Sequence, residues 1–277
     1  MARKMLITAC VALCVIGLAA AGGKKTITIK GSDTMVILAQ RWAEKYMEKH
    51  PDVTVQVTGG GSGVGISALL NGTTDIADAS RTMKKSEMEK LKSRYSSLGY
   101  ETKAAKDGIT LYVNETNPVS ELSIDMIKGI YLGEITNWKD VGGPDQKIIL
   151  YGRENSSGTY VYFRDNVLGG KDYSPTMQSL PGTAAVVNAV AKDKVGIGYG
   201  GAAYAKGIKV IKVKKDADSP AYEPTPETIK QDQYPITRYL YMYTRAKPTG
   251  DMKDYIDWTL SDEGQAIVTA VGYFPVK

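Results

Sequence analysis

A short apolar run, a loop of small polar residues and a helix-spaced segment recur in that order along the chain. "TITIK" (26–30) alternates as a strand. After it, Met35, Leu38, Ala39, Trp42, Ala43, Tyr46 and Met47 fall at helical spacing, and Pro51 stops the pattern. "VTVQVTG" (53–59) is a second strand, "GGGSGVG" (59–65) a glycine loop, and "ISALLNG" a short helix. "DIADAS" (75–80) is a third strand, "KKSEMEKLKSRY" (84–95) a polar, exposed helix, and "GITLYVNE" (108–115) a strongly apolar strand. The rhythm continues through "SIDMIKGIYLG", "KIILYGR", "YVYFRDNVL", "AAVVNAVAKD", "VGIGYGG" and "IKVIKVK". Segment 219–235 is proline-rich and irregular, "ITRYLYMYT" (236–244) is another strongly apolar strand, and two helices close the chain. Parallel neighbours need a crossover, usually a helix, so the pattern predicts an α/β fold with helices on both faces of parallel sheets.

The loops that follow the strands share one chemistry. "KGSDTM" (30–35), "GGGSGVG" (59–65), "DASRTM" (78–83) and "GRENSSGT" (152–159) each carry small hydroxyl residues. In open α/β sheets such loops gather at the carboxyl ends of the strands, where ligands bind. In the last loop Arg153 leaves a strand, and Ser156 or Ser157 caps the next helix. The first N–H groups of a helix are unpaired and lie at the positive end of its dipole. Gly158 lets an anion approach the main chain, Ser157 and Thr159 add hydroxyls, and Arg153 adds a planar charged fork. Taken alone, a helix cap and a surface charge account for this segment. Four such loops, with Arg81 and Arg153, read as convergence on a tetrahedral oxyanion.

The N-terminus reads as an export signal. Arg3 and Lys4 precede an apolar run over 5–18, and Ala19-Ala20-Ala21 offers a small-residue cleavage site, so residues 1–21 are expected to be removed. "ITAC" (7–10) resembles a lipoprotein box, and lipidation is kept as the lesser alternative. Both cysteines, Cys10 and Cys14, would leave with the signal, removing disulfides, thiol nucleophiles and thiolate metal sites from consideration. Without Arg3 and Lys4 there are 33 basic against 30 acidic side chains and no long basic run, which gives no support for nucleic-acid binding.

Several features lead nowhere. "GIGYGG" (196–201) matches a dinucleotide fingerprint but lacks an acidic partner for a ribose. His50, the only histidine, sits at a helix end beside Pro51, so triads and zinc sites are excluded. Ser62 lacks the residue order of a nucleophile elbow. Eighteen tyrosines against two phenylalanines suggest amphipathic packing and carry no functional reading.

Along nearly its whole length after the signal, the chain resembles periplasmic phosphate-binding proteins of high-affinity phosphate ABC transporters. The resemblance rests on "GSDTM", "GGGSGVG", "DIADASR", "GEITNWKDVGGPD" (133–145), Arg153-x-x-x-Ser157-Gly158-Thr159, "VGIGYGG" (195–201) and "GQAIVTAVGYFPV" (264–276). It implies a two-lobe α/β binding protein, type II-like, with two crossover hinge strands and the ligand in the cleft. Lobe 1 would comprise 24–106 plus 237–277 and lobe 2 would comprise 107–236, with strands 108–115 and 236–244 as crossovers. It implies a periplasmic monomer that binds inorganic phosphate and serves permease subunits in the inner membrane, with no cofactor, metal or catalysis. The implied phosphate-binding residues are Ser32, Asp33, Thr34, Ser62, Gly63, Ser80, Arg81, Arg153, Ser157, Gly158 and Thr159, with the N–H groups of 62–64 facing the anion. Many members have an acidic residue, accepting the proton of hydrogen phosphate, where this chain has Ser80. Asp33 is the preferred substitute and Asp78 the alternative. Another oxyanion such as sulfate or molybdate, or a secreted phosphatase activity, are the competing functions.

Overall fold

The computed structural model describes residues 25–276, so the expected export signal and both cysteines lie outside the described residues. The elements begin with β1 (Lys25–Gly31), α1 (Val36–Lys49), β2 (Val53–Thr58), α2 (Ser62–Asn71), β3 (Ile76–Ala79), α3 (Lys85–Tyr95) and β4 (Tyr100–Val113). Next come β5 (Glu121–Ser123), α4 (Ile124–Leu132), β6 (Ile149–Arg153), α5 (Gly158–Asn166), β7 (Gln178–Leu180), α6 (Gly182–Lys192) and β8 (Gly196–Gly201). The chain ends with β9 (Lys209–Lys214), β10 (Ala221–Tyr222), α7 (Pro226–Lys230), β11 (Thr237–Thr244), α8 (Gly250–Thr259) and α9 (Asp262–Val271).

Local chemistry sets the helix limits. α1 buries Leu38, Ala39, Trp42, Ala43 and Tyr46 along one stripe, and its polar face stays in water. It stops at His50, whose N–H still reaches Tyr46 O before Pro51 ends the ladder. His50 stacks on Tyr46 there, with ring centroids 4.1 Å apart. Ser123 caps α4 by accepting from Met126 N, and Ser157 caps α5 by accepting from Thr159 and Tyr160 N.

The strands run in the order β2-β1-β3-β11-β4-β8-β6-β7, with β9 beside β4 and joined to β5 and β10. β1 pairs in parallel with β2 and β3, and β6 pairs in parallel with β7 and β8. Antiparallel β4 and β11 stand between these two parallel groups. β4 is longer than the expected strand at 108–115, because it begins at Tyr100. Its first part, "YETKAAKD", mixes charges with alanines and hides a strand on which Glu101 and Lys103 are exposed while Thr102 and Asp107 are buried. Residues 100–108 of β4 pair with β11, whereas 109–113 pair with β8 on one side, and 111–113 with β9 on the other. The partner exchange at Gly108–Ile109 divides the packing too. One apolar core gathers Ile109, Leu111, Trp138, Phe163, Tyr199 and Ile236. Another gathers Ile27, Trp42, Ala105, Leu240, Tyr255 and Val268. Segment 219–235 is irregular as expected, apart from β10 and the short α7. The "GIGYGG" run is strand β8 itself, and α6 packs on it so closely that a Cβ at Gly198 would fall 2.6 Å from Val186.

Candidate anion-binding site

The four loops read from the sequence end β1, β2, β3 and β6, and they meet where the two strand groups face each other. Thr34 Oγ1 lies 2.9 Å from Thr159 Oγ1, joining the β1 loop to the first turn of α5. Arg153 Nη2 donates to Asp33 Oδ2 at 2.8 Å, and Arg153 Nη1 donates to Thr183 Oγ1 at 2.7 Å. Ser62 Oγ and Ser80 Oγ are 3.3 Å apart, and Ser80 N donates to Ser62 Oγ. Gly63 N donates to Ser156 O at 2.9 Å across the same seam. Ser32, Thr34, Ser62, Ser80, Arg153, Ser157 and Thr159 are all buried.

Glycine is required where these loops touch. A Cβ on Gly158 would fall 2.3 Å from Ser62 Oγ and 2.6 Å from Ser80 Oγ. Gly61, at φ +92°, would place one 2.7 Å from Ser156 O. The backbones of the α2 and α5 starts approach this closely only because neither carries a side chain at these positions.

The donor inventory suits an anion. Arg153 is 1% exposed, and its Nε has no partner among the described atoms. Burial pulls the Arg153 pKa below its ordinary value, with the Asp33 carboxylate opposing. Ser32 Oγ is also buried and unpartnered. Ser157 Oγ accepts two N–H groups as the cap, which leaves its own proton to donate. Asp33 is held from both ends, with Gly60 N donating to Oδ1 at 2.7 Å and Arg153 to Oδ2. Tyr204 OH donates to Asp33 O, and Tyr273 OH to Thr34 O, each at 2.6 Å, so two phenols clamp this loop. Burial raises the Tyr204 hydroxyl to about 12, so it stays a donor at neutral pH.

Three residues depart from the sequence reading. Arg81 follows β3, and its Nη1 and Nη2 grip both oxygens of Glu87 at 2.8 Å while Nη1 also reaches Thr82 O. Its fork is thus spent on the start of α3, because a carboxylate six residues on offers a local partner. Glu87 also accepts from Lys84 N. Burial alone would raise the Glu87 carboxyl, but the Arg81 and Lys84 contacts outweigh it and hold it below the usual range. The N–H of Gly63 is taken by Ser156 O, so Gly63 is a seam contact and not a free donor. Asp78 alternates with Ala77 and Ala79 on β3, and Ile76, two residues away, packs with the α1 core. Its side chain therefore turns to that core, away from the Ala77 and Ala79 face. Oδ1 is buried without a partner, and burial pushes the carboxyl up to about 8.

Sequence reasoning missed Arg238 and Asp107. Arg238 Nε and Nη2 bind Asp107 Oδ2 at 3.0 and 2.8 Å, and its Nη1 donates to Ser80 O. Nη2 also donates to Thr159 Oγ1 at 2.9 Å. Burial pushes Asp107 up, while Arg238 and the Ala202 N–H pull it down. A lone arginine inside the apolar run "ITRYLYMYT" was the available signal, because such a charge needs a buried partner.

Two strand groups that share their central strands, with buried donors gathered between them, have the architecture of a solute-binding receptor. A family model described as a PBP superfamily domain matches residues 18–263. The chain is 36% identical over 255 residues to the phosphate-binding protein PstS of Staphylococcus haemolyticus, covering 88% of this chain and 79% of that one. It is 29% identical over 277 residues to PstS of Pseudomonas aeruginosa, covering 93% and 85%. Among solved structures, a substrate-binding protein from Clostridium perfringens with bound phosphate superposes with a TM-score of 0.83 at 30% identity, covering 91% of this chain and 100% of that one. An ABC-type phosphate transport receptor from Vibrio cholerae gives 0.72 at 32%, covering 90% and 99%. The chain belongs to the PstS family of phosphate-binding proteins.

Proposed function

We propose that this chain captures inorganic phosphate outside the cytoplasmic membrane and delivers it to the permease of an ABC transporter, as a monomer and without chemistry on the ligand. The observation that carries this reading is the meeting of Arg153 and the capped start of α5 with the hydroxyls of Thr34, Ser62 and Ser80. Ser32, Asp33, Thr34, Ser62, Ser80, Arg153, Ser157, Gly158 and Thr159 form the phosphate shell. The charges near it are paired, Arg153 with Asp33 and Arg238 with Asp107, so binding rests on buried, preorganised donors and not on surplus charge. Asp33 has lone pairs beyond those used by Arg153 and Gly60, and it accepts the proton of hydrogen phosphate. Sulfate, lacking that proton, would face the carboxylate with a lone pair.

The lobes divide at 106/107 and 236/237, supported by the change of β4 partners and by the separate cores. Ligand binding favours the closed arrangement of these lobes through contacts made only there. Export to the periplasm follows from the signal pattern of 1–21. Among the described residues no helix is long and apolar enough to cross a membrane.

Calorimetric titration with phosphate, using sulfate and arsenate as competitors, tests the reading. Phosphate and arsenate should bind and sulfate should not, and Asp33→Asn should admit sulfate. A wild-type protein that prefers sulfate, or binds none of the three, defeats it.

A further inference from the structure

Arg238 touches three elements at once. Its guanidinium holds Asp107 on β4, the Ser80 carbonyl after β3, and the Thr159 hydroxyl at the first turn of α5. The Asp107 carboxylate in turn accepts from Ala202 N, just after β8. The side chains of Arg238 and Asp107 are 2% and 0% exposed, so water does not compete for these bonds. We infer that Arg238 is a positioning residue that fixes the Thr159 hydroxyl as a donor to the bound oxyanion, and so stabilises the closed, liganded form. The inference rests on the phosphate reading of this site.

The donor and acceptor count carries it. A guanidinium only donates, so Thr159 Oγ1 must accept from Arg238 Nη2. Thr34 Oγ1 lies at hydrogen-bond distance from the same oxygen. A hydroxyl has one proton and two lone pairs. Arg238 fills one lone pair; with Thr34 donating into the other, a direction the 2.9 Å contact allows and the inference requires, the Thr159 proton is left for a third group, the anion. Donation from a charged group also polarises the hydroxyl and strengthens its own donation. The Asp107 pair presets this direction before ligand arrives, because it anchors Arg238 on the two strands common to both packing groups. The Thr159 contact forms only when the α5 start reaches the ends of β1 and β3. Losing it should therefore speed ligand release more than it slows capture.

The test is a cycle of four full-length proteins: wild type, Arg238→Lys, Thr159→Val and the double variant. Phosphate affinity is measured by calorimetry and release by stopped flow, with melting of the ligand-free proteins as control. Lysine keeps a cation opposite Asp107 but cannot span the acceptors. Arg238→Lys should raise the dissociation rate about tenfold or more while the association rate stays within about threefold. Thr159→Val should then cost little further in the Arg238→Lys background, because the coupled contact is already lost. If Arg238→Lys does not fold, Arg238→Met with Asp107→Leu removes both buried charges and takes its place. The inference is overturned if the two substitutions multiply independently, or if the Arg238 variant melts earlier with an unchanged dissociation rate. A wild type that binds no phosphate defeats the phosphate reading instead, and the two failures are thereby distinct.

Discussion

Arg153 and Arg81 look alike in the sequence and behave differently in the fold. Arg153 ends β6, Arg81 lies two residues past the end of β3, and each precedes a helix start. Both are nearly buried, and both are bound to a carboxylate at 2.8 Å. Arg153 reaches 120 residues back to Asp33, across the seam, and its other terminal nitrogen goes to Thr183. Arg81 reaches six residues forward to Glu87 and spends both terminal nitrogens on its own helix start. The lesson is that a local carboxylate within reach decides what an arginine is for. Both keep an unpartnered Nε, so the difference lies in where the fork is anchored: Arg81 at the next helix start of its own strand group, Arg153 across a seam whose closure it reports.

Substitutions can break this comparison, and the largest effect is expected at Arg153. Arg153→Ala should weaken phosphate binding by about 2–5 kcal/mol in calorimetry, and Arg153→Lys should restore only part of it. Arg81→Ala should leave affinity within about threefold; a loss matching that of Arg153→Ala would erase the distinction. Gly158→Ala comes next. The added methyl meets Ser62 and Ser80, so closure should suffer by about 1–3 kcal/mol of binding while the ligand-free melting temperature holds.

For Arg81→Ala itself, urea unfolding should show a stability loss of about 1–3 kcal/mol near neutral pH. Glu87 is depressed in the fold, so the stability it contributes is present at neutral pH and lost as pH falls through its lowered pKa. The variant should lose stability less steeply in acid than wild type does. Asp78 gives an effect of the opposite sign. Its folded pKa of about 8 lies above the unfolded value, so the folded state holds a proton the unfolded state has lost. Stability should then fall as pH rises through that window, by at most about 1.4 kcal/mol per pH unit, and Asp78→Asn should flatten that slope. Urea midpoints at pH 5 and 7 for both proteins would reveal a slope that survives the substitution.

The sequence carried the layout further than it carried the roles. The strand-loop-helix rhythm located β1, β2, β3 and β6 with the helices after them, and β8 after α6, because apolar periodicity is local. The first half of β4 was invisible, since a strand that exposes lysines looks like a loop until its partner is known. The hydroxyl loops were legible because caps and close approaches demand Ser, Thr and Gly. Arg81 was misread because nothing in the loop motif itself records Glu87, which lies further along in α3. Asp107 and Arg238 were missed because their meaning lies in pairing across 131 residues.

The abundance of tyrosine over phenylalanine acquires a meaning at the seam. Tyr204 OH binds Asp33 O, Tyr162 OH binds Thr237 O, and Thr34, Gly63 and Arg153 add further polar contacts across the proposed lobe boundary. A seam of phenyl rings would behave as an adhesive, since parting it exposes oil to water at about 25 cal/mol for every Å². A seam of hydroxyls and carbonyls behaves as a hook-and-loop fastener, because each group that lets go is caught by a water molecule at little net cost. Such a receptor does not stick shut on nothing. Its grip belongs to the cargo, and a carrier that must surrender what it holds gains from that reversibility.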